Sequence, residues 1–166
     1  NDFTGAVSLT NSGANNVALV DATGIVLGTV NVGSGTLAIT ATGANTITQT
    51  GVITQAAGAG GASFTTDGGA ITLTNGSNDF TGAVSATNTG ANAIQITDKD
   101  AIQLGTINTA NNLTVNAVGI TQNTGGLTVG GSSTFNAGGG VITLTTSTND
   151  FTGAVNLSNS GANNVA

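Results

Sequence analysis

The side chains of this sequence that could take part in acid–base or metal chemistry are seven aspartates and a single cation, Lys99. His, Cys, Arg, Glu and Tyr, the usual general bases, nucleophiles and oxyanion donors, are all absent. Asp2, Asp79 and Asp150 lie 71 to 77 residues apart, so carboxylates paired at glycosidase spacing would have to come from different parts of the fold. We therefore expect no enzymatic activity, no catalytic residue and no cofactor.

Each of these three aspartates lies in an Asn-Asp-Phe triplet, beginning at Asn1, Asn78 and Asn149. Carboxylates and turn carbonyls suit Ca²⁺. The favoured interpretation is structural, with Asn-Asp forming an Asx-type turn that directs the following Phe into the core. The calcium-binding nonapeptide repeat is also missing. No metal site is predicted.

The only charge cluster is Asp98-Lys99-Asp100, which takes the place of Asp21-Ala22-Thr23 in an earlier repeat. It is interpreted as an exposed turn, with a ligand contact as the alternative. A single cation cannot track a phosphate backbone or dock on an anionic bilayer, and no apolar run is long enough to span a membrane. Nucleic acid and membrane insertion are therefore excluded as interactions.

These residues belong to tandem repeats that begin with the heptapeptide NDFTGAV. Repeat one covers 1–77, repeat two 78–148, and a partial third copy 149–166. The third copy differs from 1–18 only at Asn156 and Ser158, which replace Ser8 and Thr10. No linker separates the copies, so 1–166 is predicted to form one continuous segment.

Apolar residues recur two apart in both full repeats, the spacing that places side chains on one face of a strand. The intervening positions change polarity freely, as where Ala18, Val20 and Val26 become Gln95, Thr97 and Gln103. The predicted inward positions are Val17, Leu19, Ile25, Leu27, Leu37, Ile39, Phe64, Ile71 and Leu73 in repeat one, and Ile94, Ile96, Ile102, Leu104, Leu113, Val115, Phe135, Ile142 and Leu144 in repeat two.

Short strands separated by Gly- and Asn-rich corners fit an antiparallel sandwich or a parallel β-helix. The lack of linkers and the Asn and Thr content favour an all-β, right-handed parallel β-helix, or β-solenoid. At ~24 residues per coil, each repeat of 71–77 residues makes about three coils and the segment about seven. Repeat two is six residues shorter (77 against 71), mostly between Leu113 and Phe135, which a solenoid absorbs in its corners.

The NDFxGxV opening, the GANNVALVDATGIVLGTV body and the ITLTNGSNDF junction resemble the long repeats of filamentous-haemagglutinin-like exoproteins. That resemblance implies a β-helical shaft in a giant bacterial adhesin of the two-partner-secretion type, outside the outer membrane. The expected function is a structural shaft segment of a secreted or cell-surface adhesin or matrix protein. Its expected partners are neighbouring repeats, like chains end to end or side by side, and a host or cell-surface glycan or protein.

The alternative function is a self-assembling extracellular filament or surface-layer subunit. A less favoured one is ice binding, because Thr-rich strands recur. That function needs a flat face with Thr at regular spacing, and Gln95, Gln103 and Asn116 are expected to interrupt it.

Overall fold

The computed structural model describes all 166 residues as strands joined by turns and bends. None of its segments is an apolar helix of membrane-spanning length. The strands are β1 (Val7–Thr10), β2 (Val17–Asp21), β3 (Ile25–Val32), β4 (Leu37–Ala41), β5 (Ile47–Gln49), β6 (Ile53–Gln55), β7 (Ala62–Thr66), β8 (Ile71–Leu73), β9 (Val84–Asn88), β10 (Ile94–Thr97), β11 (Ile102–Thr109), β12 (Leu113–Asn116), β13 (Ile120–Gln122), β14 (Leu127–Val129), β15 (Ser133–Asn136), β16 (Ile142–Thr143), β17 (Asp150–Phe151) and β18 (Val155–Ser158).

These strands form two sheets, and the chain alternates between them. The first sheet has the order β1-β3-β5-β8-β10-β12-β15-β18, and the second β16-β13-β11-β9-β7-β4-β2. Every strand pairing is parallel. The result is a parallel β-solenoid of about seven turns, which confirms the predicted fold class and excludes the antiparallel sandwich.

Each sequence repeat makes three and a half turns of the solenoid. Val7 opens β1 in the first sheet, Val84 opens β9 in the second, and Val155 opens β18 in the first again. The chain crosses from one sheet to the other seven times between Val7 and Val84, and seven times again between Val84 and Val155. This half-integer count refines the expected three coils, and a turn averages (155 − 7)/7, or about 21, residues. Equivalent residues of successive repeats therefore lie on opposite sheets, about 17 Å apart along the axis.

The strand register is the same in the two repeats. Val7 aligns with Leu27, and the equivalent Val84 aligns with Leu104. Each pairing then shifts register immediately afterwards, at a β-bulge or similar irregularity. The repeats are therefore equivalent in structure although they lie on opposite sheets.

Two corners account for most of the six-residue difference between the repeats. Nine residues lie between Leu37 and Ile47, but only six between the equivalent Leu113 and Ile120. The corner between β6 and β7 has six residues, and the one between β14 and β15 has three. The missing residues fall in the predicted stretch, and the strands keep their pairing because corners do not contribute to the ladders.

The two sheets enclose one apolar core of 30 buried residues that runs through both full repeats. All the predicted inward residues lie in this core except Val17, Leu19 and Leu144, which are partly buried and pack against it. The intervening Gln95 and Gln103 are exposed. Alternation of inward and outward side chains is thus confirmed in the two full repeats, whereas β18, the last strand of its sheet, is exposed at all four residues.

Corner glycines allow successive turns to approach closely, and Gly82 provides a test. A Cβ on Gly82 would collide with the Gly60 carbonyl of the turn below, whereas a Cβ on Gly76 would meet no heavy atom within 4 Å. Gly82→Ala should therefore lower the free energy of unfolding by about 1–3 kcal/mol, since the backbone must shift. Gly76→Ala should be neutral or slightly stabilising. Urea denaturation measures both, and equal losses would contradict the close approach.

Candidate functional site

The Asn of the Asn-Asp-Phe motif is a buried clamp between turns. Asn78 is fully buried and exchanges two side-chain hydrogen bonds with Gln49, of 2.8 and 2.9 Å. Its Oδ1 also accepts from the Ile53 backbone N–H at 3.0 Å, and its Nδ2 donates to the Thr97 carbonyl at 3.1 Å. Gln49 lies in β5, Ile53 in β6 and Thr97 in β10. One side chain thus connects the turn below with the turn above.

The next copy of the motif repeats this arrangement. Asn149 and Gln122 exchange hydrogen bonds of 2.6 and 3.0 Å, and Asn149 Oδ1 accepts from the Leu127 backbone N–H at 3.0 Å. The predicted Asx turn at the motif is therefore wrong, because the Oδ1 atoms of Asn78 and Asn149 accept from residues more than twenty positions away rather than from the N–H two residues on. The glutamines were missed from sequence, although Gln49 and Gln122 both end an Ile-Thr-Gln triplet.

The Phe of the motif packs against a core Phe on the adjoining strand. Phe80 meets Phe64 edge to face, with ring centroids 6.0 Å apart. Phe151 meets Phe135 in the same way at 6.0 Å. Phe3, at the open end of the solenoid, is 37 % exposed. The prediction that the Phe of the motif enters the core is thus correct for Phe80. Phe151 is partly buried and packs against the core.

The Asp of the motif forms an ion pair in the second repeat. Lys99 Nζ lies 2.8 Å from Asp79 Oδ2 and 3.7 Å from Asp100 Oδ2. The hydrogen bond to Asp79, followed by the charge of that carboxylate, raises the pKa of Lys99. Both Lys99 and Asp100 are exposed, as predicted for a turn. The pair is open to solvent and contributes little to stability.

Asp98 differs from that prediction, because it is buried rather than exposed. The residue is 4 % exposed; its Oδ1 accepts from the Phe80 N–H at 3.4 Å, while its Oδ2 has no hydrogen-bond partner. Burial, opposed by backbone hydrogen bonds and assisted by the charge of Asp79, raises the pKa of Asp98 to about 6. Sequence reasoning placed the whole triplet in solvent because charged residues are almost never buried without a partner.

The equivalent aspartate of repeat one, Asp21, has the donor that Asp98 lacks. The Thr23 hydroxyl lies 3.1 Å from Asp21 Oδ2, and the Phe3 and Ala22 N–H groups donate to the same carboxylate. Burial raises the pKa of Asp21, but these hydrogen bonds outweigh it and lower the pKa overall. Asp100 occupies the position of Thr23 in repeat two, which leaves Asp98 Oδ2 without its donor.

Asp100→Thr should restore that donor and reduce the pH dependence of stability. A raised pKa means that the folded chain binds a proton between about pH 4 and 6 that the unfolded chain does not bind, so stability falls as pH rises through 6. From pH 5 to pH 7 the native chain should lose about 1 kcal/mol, allowing for solvent screening. Denaturation midpoints at both pH values should show this loss in the native chain and a smaller one in Asp100→Thr.

Asp98→Asn is the control, because this variant has no group at position 98 that can titrate. It should also show less pH dependence than the native chain. An unchanged slope in both variants would assign the pH dependence to other carboxylates.

The surface offers two shallow grooves, with volumes of about 570 and 350 Å³. Neither is lined by a titratable side chain. The larger is lined mainly by small and hydroxyl residues, among them Ala38, Ser63, Ser85, Gly105 and Thr106. No group of three or more acidic side chains is placed to hold a metal ion. On the first sheet, exposed Gln95 stands in register between Thr72 and Thr114 and interrupts a row of threonines.

Comparison with known proteins identifies a repeat family. The model of a family described as repeats of unknown function (DUF5649) matches residues 14–87 and 91–158. No curated protein and no solved structure matches the chain. The matched ranges together cover most of the two full repeats, including Gln49 and Gln122 and their partners Asn78 and Asn149.

Proposed function

Because the chain belongs to the DUF5649 family of repeats, and because those repeats form an unbroken solenoid, we propose that it is a non-catalytic segment of a structural shaft. The observation that carries this proposal is the clamp at the repeat junction. Asn78, the first residue of repeat two, binds Gln49 and Ile53 of repeat one. Successive repeats are thus joined through a buried hydrogen-bond network rather than a linker.

Such a shaft would work mechanically. Backbone ladders connect every turn to the next, and the core is continuous, so stability is the sum of the turns and of the interfaces between neighbouring turns. Adding repeats lengthens the rod by about 17 Å each without adding a flexible joint. No titratable side chain lines either groove, and this favours a structural role over a catalytic one.

The shaft is assigned by this proposal to a large bacterial adhesin or matrix protein of the filamentous-haemagglutinin-like type, secreted or held at the cell surface outside the outer membrane. The support for this assignment is the resemblance of the repeat sequences. Recognition of a host or cell-surface glycan or protein would fall to other parts of the polypeptide, and neighbouring repeats or like chains would contact the shaft itself.

A self-assembling extracellular filament or surface-layer subunit is the second candidate. It is favoured by the return of the sequence to the same sheet after two repeats. Residues 1–18 and 149–166 both place their first strand, β1 and β18, in the first sheet. A unit of seven turns therefore begins and ends on the same sheet, which suits end-to-end stacking.

The test combines denaturing electrophoresis and intact mass of the native polypeptide with electron microscopy of the same sample. A single very large chain that forms thin rods supports the shaft. A small subunit that builds long polymers would replace it with the filament. Protease treatment of intact cells, followed by detection with an antibody against residues 1–166, tests the location, and full protection of the antigen in intact cells would contradict surface exposure.

A further inference from the structure

The turn before the repeat junction contains the only Asn-Gly pair of the sequence, Asn75-Gly76. Gly76 is exposed, Asn75 is half-buried, and no heavy atom lies within 4 Å of where a Gly76 Cβ would be. Gly76 thus lies in an open, solvent-exposed turn. Three Asn75 atoms, the carbonyl carbon, Cα and Cβ, separate the Gly76 nitrogen from Asn75 Cγ, so a bond between the nitrogen and Cγ closes a five-membered ring.

Hydrogen bonds fix three groups of Asn75, its N–H, its carbonyl and its Oδ1, and leave the Gly76 N–H without a protein acceptor. The Asn75 N–H donates to Gln49 Oε1 at 3.3 Å, and the Asn75 carbonyl accepts from the Asn78 N–H at 3.1 Å. The Ser77 N–H donates to Asn75 Oδ1 at 3.0 Å, forming an Asx turn. Neither the Gly76 N–H nor the Asn75 amide nitrogen donates to a protein acceptor.

From this arrangement we propose that Asn75 is a site of spontaneous deamidation, a chemical modification that acts at the junction between repeats. The Gly76 nitrogen loses its proton and attacks Asn75 Cγ, forming the N–Cγ bond. The Ser77 N–H stabilises the negative charge that develops on Oδ1. The Cγ–Nδ2 bond then breaks, ammonia leaves with the proton, and a cyclic imide remains. No oxidant or reductant is needed.

Water then opens the imide at one of its two carbonyl carbons. Addition at Cγ gives aspartate at position 75, and addition at the main-chain carbonyl gives isoaspartate, in which the chain runs through Cβ and Cγ. Either product adds one negative charge to a chain of net charge −6. Isoaspartate also adds a backbone atom three residues before the Asn78 clamp, and this should loosen the junction.

Other asparagines are held in ways that oppose the same reaction. Asn78 is fully buried, and its amide is engaged on both its oxygen and its nitrogen. Asn11 and Asn159, each followed by Ser, donate their Nδ2 to backbone carbonyls. Repeat two builds the equivalent turn from Thr146-Ser147-Thr148, in which the Asn149 N–H donates to the Thr146 carbonyl at 3.1 Å. The turn therefore forms without an Asn-Gly pair.

The experiment is incubation of the folded chain in neutral buffer at 37 °C, followed by chymotryptic peptide mapping. Cleavage after Phe64 and Phe80 gives residues 65–80, which contain Asn75 and Asn78 and no other asparagine. Isomerisation at Asp67 leaves the mass unchanged, so a gain of about one mass unit reports the two asparagines alone. Fragmentation distinguishes them, and isoaspartate among the products marks the imide route, because direct hydrolysis of the side-chain amide gives aspartate only.

We expect Asn75 to convert before any other asparagine. Gly76→Ser, which copies Ser147, should slow the conversion at least about tenfold, equivalent to 1.4 kcal/mol in the barrier, and Asn75→Thr should abolish it. Faster conversion at another asparagine in the folded chain would overturn the proposal. Conversion at Asn75 only in urea, and not in the folded chain, would overturn it as well, because the turn would then be protective.

Discussion

Replacement of Leu104 by Asp is expected to unfold the second repeat, whereas Gln103→Thr should leave the unfolding midpoint unchanged. Leu104 has no exposed surface and lies in register between Val84 of the turn below and Gln122 of the turn above. An unpaired carboxylate there costs several kcal/mol, in addition to the lost apolar contacts. The total is comparable with the whole stability of a typical domain. Circular dichroism and urea denaturation measure it.

Gln103 is the matched control because it is the preceding residue of the same strand and points to solvent. Thr fits an exposed strand position at least as well as Gln. Leu104→Ala separates the two causes, since it removes the packing without adding charge and should cost about 2–5 kcal/mol. Equal midpoints for Leu104→Asp and Gln103→Thr would contradict the inward assignment of the whole alternating pattern.

The sequence predicted the alternation well because β-strand geometry alone determines it. Apolar residues two apart must share a face, and comparing two repeats reveals which face tolerates polar residues. Ile102 and Gln103 show this plainly, because the first remains Ile in both repeats while the second is Val26 in repeat one. The parallel pairing was predicted from the absence of linkers between the repeats and from the Asn and Thr content.

The half-turn offset could not be predicted in the same way. Strands of both sheets have the same alternation of apolar and polar residues, so the sequence around Val7 or Val84 does not show which sheet its strand joins. The offset depends on the total number of sheet-to-sheet steps, and that depends on whether segments such as β5 and β6 lie in one level or two. Both pair with β3, and together they form a single level.

The buried polar residues were missed for a different reason. Asp98 and Asn78 have polar side chains of the kind usually found at the surface, yet both are buried. The main side-chain partner of Asn78 is the half-buried Gln49, which is 29 residues away in sequence. Single-sequence reasoning detects local turns more readily than such distant pairs, and for this reason it assigned Asn78 to an Asx turn. The signal that could have revealed the Gln49–Asn78 pair is that both residue types recur at the equivalent positions of repeat two and of the third copy, as Gln122 and Asn149.

The clamp also explains how a solenoid with few charges and small corners could keep its register across a junction. A slip of the β8-to-β9 connection would break the reciprocal bonds between the buried Asn78 amide and the half-buried Gln49 amide. Apolar ladders alone penalise such slips less, because one β-branched side chain can replace another in the column. The polar pair therefore contributes to specificity as well as to stability.

Asn78→Ala should accordingly lower the free energy of unfolding by about 2–4 kcal/mol, because it breaks the reciprocal bonds with half-buried Gln49 and removes the partner that Asn78 provides to the Ile53 N–H and the Thr97 carbonyl. Asn1→Ala, at the same motif position, should cost less than about 1 kcal/mol, since Asn1 is exposed and its side chain makes one hydrogen bond, to the Val20 carbonyl. A double-mutant cycle with Gln49→Ala should be strongly non-additive, because removing either amide already breaks the pair. Urea denaturation of the four proteins measures this coupling, and simple additivity would show that the two amides act independently rather than as one clamp.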